Sequence, residues 1–319
     1  MAGQTELSGN LARSKFVAEV GMGLAEMRIP GAGDFCVTLG DGTGHGFKPA
    51  IRLATGLIGL AHAVAGGDLE AAFVNPSGLL TQAYRGSGLF QKPLDVRMLA
   101  CYPSWDRFAC AVHPRTGLTS LQDLREHRYP LKLSVREDPT HATRVLIDQM
   151  LSAAGFRLSD IEAWGGKIVY HRRPREQSRI DMLASELLDA VFDEGIKGWF
   201  EDGLPYGYRP IDLGASVIRD LEGIGWRSAS LPVKRYPQIG RDYMAIDFSG
   251  WALYTRASLP EETAYQICAA IGAHEADMPW ESGTYRHLSQ LGSETDSTPM
   301  DVPLHPGAAH WYAESGSRG

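Results

Sequence analysis

What most constrains this chain is a strand, loop, helix order that occurs twice. Near the start, "DFCVTLG" from Asp34 reads as a buried strand, "GDGTGHGF" as a glycine loop, and "KPAIRLATGLIGLAHAVAG" from Lys48 as the helix that follows. In the middle, "PLKLSVREDPTHATRVLIDQMLSAAGF" from Pro130 repeats the order. Strands that alternate with helices predict parallel sheets with helices on both faces. Ligands of such sheets bind beyond the carboxyl ends of the strands, so the loops there are the places to look for function.

At 319 residues the chain exceeds one ordinary domain and suits two, each able to bury its own core. Two extended segments are long enough to run between lobes: "LDVRMLACYPSWDRFACAVHP" from Leu94 and "MAIDFSGWALYTRASL" from Met244. "PEETAYQICAAIGAHEADM" after the second has a proline at its start, acids in its first turn and apolar spacing of three and four, which predicts a helix. Residues 1–33 read as a polar tail and a short amphipathic helix, with core structure beginning after them.

Hydrophobic residues make up 44% and charged residues 22%, the balance of a soluble globular protein. A net charge of -7 removes the broad positive field that phosphate-backbone binding needs, so nucleic acid is not an expected partner. The basic run "HRRPRE" from His171 reads as a solvated loop. Cys36, Cys101, Cys110 and Cys268 form no CxxC pair and no zinc-type spacing with histidine, so they read as core thiols and no metal or other cofactor is expected. No cationic start followed by an apolar stretch and a cleavage site is visible, and no apolar run is long enough to span a bilayer. The expected location is therefore the cytoplasm, or the periplasm if a leader preceded this sequence.

An ordered set of motifs resembles the TAXI family, the solute receptors of one class of tripartite (TRAP) transporters. The matching pieces are "DGTGHGFKP" from Asp41, "VNPSGLLTQAYRGSGLF" from Val74, "TGLTSLQDL" from Thr116, "RYPQIG" from Arg235, "RASLPEETAYQI" from Arg256 and "PLHPGAAHWYAE" from Pro303. They span roughly residues 36–314 in the family's order, and the "LHPGA" segment is the most specific among them. The resemblance implies the two-lobed type II periplasmic-binding-protein fold, an α/β architecture of doubly wound sheets with a central cleft. Lobe 1 would comprise residues 1–107 plus 246–319 and lobe 2 residues 108–245, with hinge strands near 105–110 and 245–251 and a small organic ligand between them. The second strand and second helix that the pattern usually supplies have no room before "DLEAAFVN". Some decarboxylases and other metabolic enzymes are similar in using this fold without a leader.

Candidate site residues follow from the loops and crossings. Gly42, Thr43 and Gly44 match the family's glycine loop, where helix-start N–H groups favour an anion or polar oxygen. The loop lacks the lysine of a P-loop, which argues against ATP, and no acidic residue is placed for a dinucleotide ribose. His45, in the same loop, is a candidate general base. Thr140, His141, Thr143 and Arg144 open the equivalent helix of the middle lobe, and the guanidinium of Arg144 suits a carboxylate. Asp193 and Glu194 end a strand; enclosed together, one carboxylate raises the pKa of the other and makes an acid or base. Tyr102, Trp105, Asp247 and Trp251 flank the crossings, where aromatic rings could stack on a planar ligand, and Trp199 and Tyr236 complete the set.

These readings lead to the expectation of a cytoplasmic, cofactor-free lyase. It would release carbon dioxide or formaldehyde from a small aromatic or carboxylated substrate, with His45, His141, Asp193 and Glu194 moving protons. The alternative is a TAXI-type receptor that binds without chemistry. A homo-oligomer is compatible with either.

Overall fold

A computed structural model describes residues 9–27, 34–41, 46–56, 58–281, 284–285 and 287–316. Helix α1 (Gly9–Glu26), strands β1 (Cys36–Asp41) and β2 (Lys48–Ala54), α2 (Leu60–Gly66), β3 (Ala71–Val74), α3 (Ser77–Arg85) and β4 (Val96–Tyr102) lead to a first crossing. Beyond it come β5 (Arg107–Val112), α4 (Leu121–Glu126), β6 (Lys132–Arg136), α5 (Ala142–Ala153), α6 (Leu158–Ala163), β7 (Lys167–His171) and α7 (Gln177–Ala184). The same half continues through β8 (Ala190–Asp193), α8 (Trp199–Gly203), β9 (Arg209–Pro210), α9 (Ala215–Gly223), β10 (Ser228–Leu231) and β11 (Tyr243–Asp247). After the second crossing the chain ends with β12 (Trp251–Arg256), α10 (Glu261–Ala273) and α11 (Pro306–Gly316).

Two sheets result. The first has the order β1-β2-β3-β12-β4 and the second β10-β11-β5-β8-β6-β7, with β9 against β5. Within them β2 and β3 are parallel, as are β7, β6 and β8. The other pairings are antiparallel, so the expectation of purely parallel sheets is corrected. The reason is topological. β5 and β12 each enter a sheet directly from a crossing, so they start at the end where the parallel strands finish and must run the other way.

A second correction concerns the helix expected from Lys48. Lys48–Ala54 is a strand, paired from Cys36↔Ala54 to Asp41↔Lys48, and the helix is confined to Leu60–Gly66. Once paired with β1 the segment alternates: Ile51 and Leu53 face an apolar cavity while Arg52 between them turns away to pair with Glu70 at 3.1 Å, a period of two. Gly67 then ends α2 in the left-handed conformation, φ 86°.

The helices that position the cleft side are set by their own sequences. α5 buries Leu146, Ile147, Met150 and Leu151, a stripe of helical period, against the second sheet. α10 begins after Pro260 with Glu261 and Glu262 in its first turn and buries Ala264, Ile267 and Cys268. Cys101, Cys110 and Cys268 are buried free thiols, and Cys36 is exposed. Apolar packing continues past the crossings: Phe248 lies 6.0 Å from Phe108 and stacks on Trp226.

Candidate functional site

The carboxyl ends of parallel strands from both sheets meet the two crossings. After β3, the Asn75 amide donates to the carbonyls of Phe248 and Gly250 at 3.1 and 3.2 Å. After β8, the Gly195 and Ile196 N–H groups donate to the Asp106 carboxylate at 2.8 and 3.2 Å. The crossings are also bonded to each other, Gly250 N to Ser104 O at 2.8 Å and Phe248 N to Asp106 O at 3.2 Å.

Arg107 is the polar centre of this junction. Its side chain is 1% exposed, and Nη1 donates to Asp247 at 2.8 Å, to Ser249 Oγ at 2.6 Å and to the Asp106 carbonyl at 2.9 Å. Nε reaches Ser230 O, and Nη2 reaches Asp296 at 2.6 Å, which carries the network into the C-terminal segment. A guanidinium satisfied on all sides holds both crossings in one geometry. Trp105 lies between two such cations, with Arg107 at 4.7 Å and Arg235 at 3.9 Å from its ring centre, while its Nε1 donates to Asp296.

A cavity of about 440 Å³ opens beside this junction, lined on one side by Trp105, Pro232, Lys234 and Arg235 and on the other by Thr284, Asp296 and Ser297. It lies between the second sheet's half of the chain and the segment that follows α10. A larger cavity of about 590 Å³ lies between β1, β2 and α10 and reaches Tyr102 and Trp280, with apolar walls including Phe35, Leu53 and Ile267. Its polar side chains are engaged: Thr55 with Phe35, Gln266 with Glu262, His274 with Asp277, and Tyr102 and Trp280 with the carbonyls of Pro279 and Glu275. We assign the functional site to the smaller cavity because Trp105, Arg235 and Asp296 of the junction network line it.

Near the same junction, Tyr102, Trp280 and Tyr285 stack in succession, at 5.5 Å between the first pair and 4.2 Å between the second, and Trp251 lies 5.9 Å from Tyr102. Trp251 is 48% exposed. Lys197, in the loop after β8, forms an ion pair with Glu281. Trp280, Glu281, Tyr285 and Arg235 were not among the residues expected from the sequence. Trp280 and Tyr285 lie in a tail without periodicity, and their isolation as large aromatics among polar residues is the one signal that marks them.

The expected residues divide into several groups. Gly42, Thr43, Gly44 and His45 lie outside the described residues. His141 caps α5, its Nδ1 accepting from Thr143 N at 3.2 Å; burial, with repulsion from Arg136, lowers its pKa. Thr140 is held by Asp138 in the turn before that cap. Thr143 Oγ1 and Arg144 Nε are buried without partners among the described residues, while Arg144 Nη1 reaches Arg136 O. Asp193 has both oxygens occupied, one by Arg136 at 2.9 Å and one by Arg179, and Glu194 pairs with Arg136. Trp199 is wholly buried and donates to Glu194 O; Tyr236 is buried and donates to Glu201 at 3.0 Å. Tyr102, Trp105 and Trp251 lie around the junction, and Asp247 lies beneath it. Among the described residues no group of His, Cys, Asp and Glu is arranged to hold a metal ion, and no helix is long and apolar enough to cross a membrane.

No protein-family model matches the chain. Solved structures do. Lactococcal OpuAC complexed with glycine betaine matches at 11% identity over 82% of each chain, TM-score 0.39. The L-cystine solute receptor of Neisseria gonorrhoeae matches at 12% identity over 76% of this chain and 73% of that one, TM-score 0.30. The alkanesulfonate-binding protein SsuA of Xanthomonas axonopodis pv. citri matches at 10% identity and TM-score 0.28; the chain spans 62% of its length.

The two sheets, joined by two crossings and flanked by helices, form a two-lobed α/β fold. The lyase expectation is corrected by the placement of its proton-moving groups. Of the four residues expected to move protons, His141 caps a helix and Asp193 and Glu194 are fixed in ion pairs with arginine.

Proposed function

We propose that this protein is a solute-binding protein of the TAXI kind, which holds a small organic molecule between its lobes and releases it unchanged. The observation that carries the reading is the convergence of the β3 and β8 ends on the two crossings, beside a cavity of about 440 Å³ walled by both halves of the chain. That volume falls in the ordinary range for small-molecule sites. The Trp105–Arg235 stack gives the cavity an apolar face with fixed positive charge, which suits a planar or anionic solute. The motif order from Asp41 to Glu314 supports the narrower TAXI assignment.

The test is a thermal-shift screen against aromatic acids, phenols, amino acids and small dicarboxylates, followed by mass spectrometry of whatever denaturation releases from the complex. A bound solute at a hundred times its Kd stabilises the protein by about 2.7 kcal/mol. We expect such a stabilisation, with recovery of the solute at its original mass. A product of altered mass, or a screen in which no solute raises the melting temperature, overturns the reading.

A further inference from the structure

We propose that Lys197 anchors the carboxylate of an aromatic acid in the cleft, and that Glu281 is the intramolecular carboxylate this ligand displaces. This rests on the solute-binding reading above. Lys197 lies just past the carboxyl end of β8, where a sheet of this kind presents its ligand groups, and its partner comes from the segment after α10 on the other side of the junction. The pair is accessible from solvent, the side chains being 32% and 30% exposed.

Glu281 is a poor permanent partner. One oxygen meets Lys197; the other is buried and has no hydrogen-bond partner among the described residues. A carboxylate oxygen withdrawn from water without compensation is unfavourable, so the arrangement favours exchange for an anion that satisfies both oxygens. The surroundings indicate the shape of that anion. Trp280 precedes Glu281, stacks between Tyr102 and Tyr285 and lines the larger cavity of about 590 Å³, so the chain itself places a planar ring and a carboxylate side by side. The Thr284 hydroxyl donates to the Glu281 carbonyl at 2.8 Å and to the Pro103 carbonyl at 3.1 Å, and Thr284 lines the cavity of about 440 Å³. Displacing Glu281 therefore moves a segment that borders the cavity. Burial lowers the pKa of Lys197, with Asp106 opposing and Arg235 adding repulsion, which puts a second cation in the same neighbourhood.

An internal competitor weakens apparent affinity by the fraction of molecules in which it occupies the anchor. Titrating tryptophan fluorescence with benzoate, and with benzamide as its uncharged counterpart, tests this in the wild type, Glu281→Gln, Lys197→Met and Lys197→Arg. Circular dichroism melts establish that each variant folds. Glu281→Gln is expected to bind benzoate about tenfold more tightly than wild type. Lys197→Met is expected to lose about tenfold, Lys197→Arg to retain binding, and benzamide to be indifferent to residue 281. The proposal fails if Glu281→Gln binds benzoate no more tightly than wild type or not at all, or if Lys197→Met binds it as well as wild type. If benzoate fails while another solute of the screen binds unchanged, the anchor is wrong and the solute-binding reading stands; if nothing binds, both fall.

Discussion

At Glu194, burial is opposed by Arg136 and reinforced by the charges of Asp193 and Asp106, and the outcome is a pKa pushed up to about 8 from an ordinary 4.5. A carboxyl group with a raised folded-state pKa keeps its proton where the unfolded chain has already lost it. Its contribution is complete below the unfolded value and disappears as pH rises through the folded one, so stability falls across that window. His141 and His171 act in the other direction. Burial, then Arg136 for the first and Arg179 for the second, lowers both from 6.5, so their contribution is lost as pH falls below that value. Between about pH 6.5 and about pH 8 the Glu194 effect therefore stands clear of the histidines. We expect the melting temperature to decline over that range by the equivalent of roughly 1 kcal/mol, and Glu194→Gln to flatten the decline. A wild-type curve that is level or rising there, or an unchanged slope in the variant, contradicts the assignment.

The crossings are the elements on which the site depends, and they show what the sequence makes legible. "LDVRMLACYPSWDRFACAVHP" is apolar on both sides of "PSWD", and the interruption marks where β4 stops and β5 starts. α10 was equally readable, from Pro260 and its acids, because helix starts are written locally. β2 was not, because "KPAIRLA" carries both periods and only pairing with β1, at a register no local rule states, makes it a strand. The same limit hid the partners of Arg107: Ser230, Asp247 and Asp296 are remote in sequence, and nothing near "WDRF" announces them. Gly250 is legible only afterwards, since at φ 72° a Cβ there would lie 2.6 Å from both Cys101 Sγ and Pro299 Cδ. If Arg107 holds the crossings together, Arg107→Met leaves Asp247 buried beside a neutral side chain. Urea unfolding should then show a loss of about 3–5 kcal/mol, far more than the same change at the exposed Arg172. A loss below about 1 kcal/mol would mean that the backbone bonds between the crossings suffice without it.

Across the whole molecule, a continuous apolar core relates the halves, and two kinds of polar contact add to it. The crossings are joined by short backbone hydrogen bonds, which salt leaves intact. The segment after α10 is held by ion pairs instead: Lys197 with Glu281, Arg107 with Asp296, and Arg227 with Glu294 and Asp301. Two of their acidic ends are largely in solvent, Asp296 being 73% and Glu294 53% exposed, so these pairs respond to screening. Raising salt from about 0.01 M to about 1 M shortens the Debye length from roughly 30 Å to roughly 3 Å. The segment should then detach while the crossings act as a hinge, and the radius of gyration measured by X-ray scattering should rise above the roughly 20 Å of a compact chain this long. Replacing Asp296 and Glu294 together by Asn and Gln should give the expanded value already at low salt and remove most of the salt dependence. If the radius is the same at both ionic strengths while the protein stays folded, the crossings and the shared apolar core hold the halves, and the ion pairs only decorate an interface that does not open.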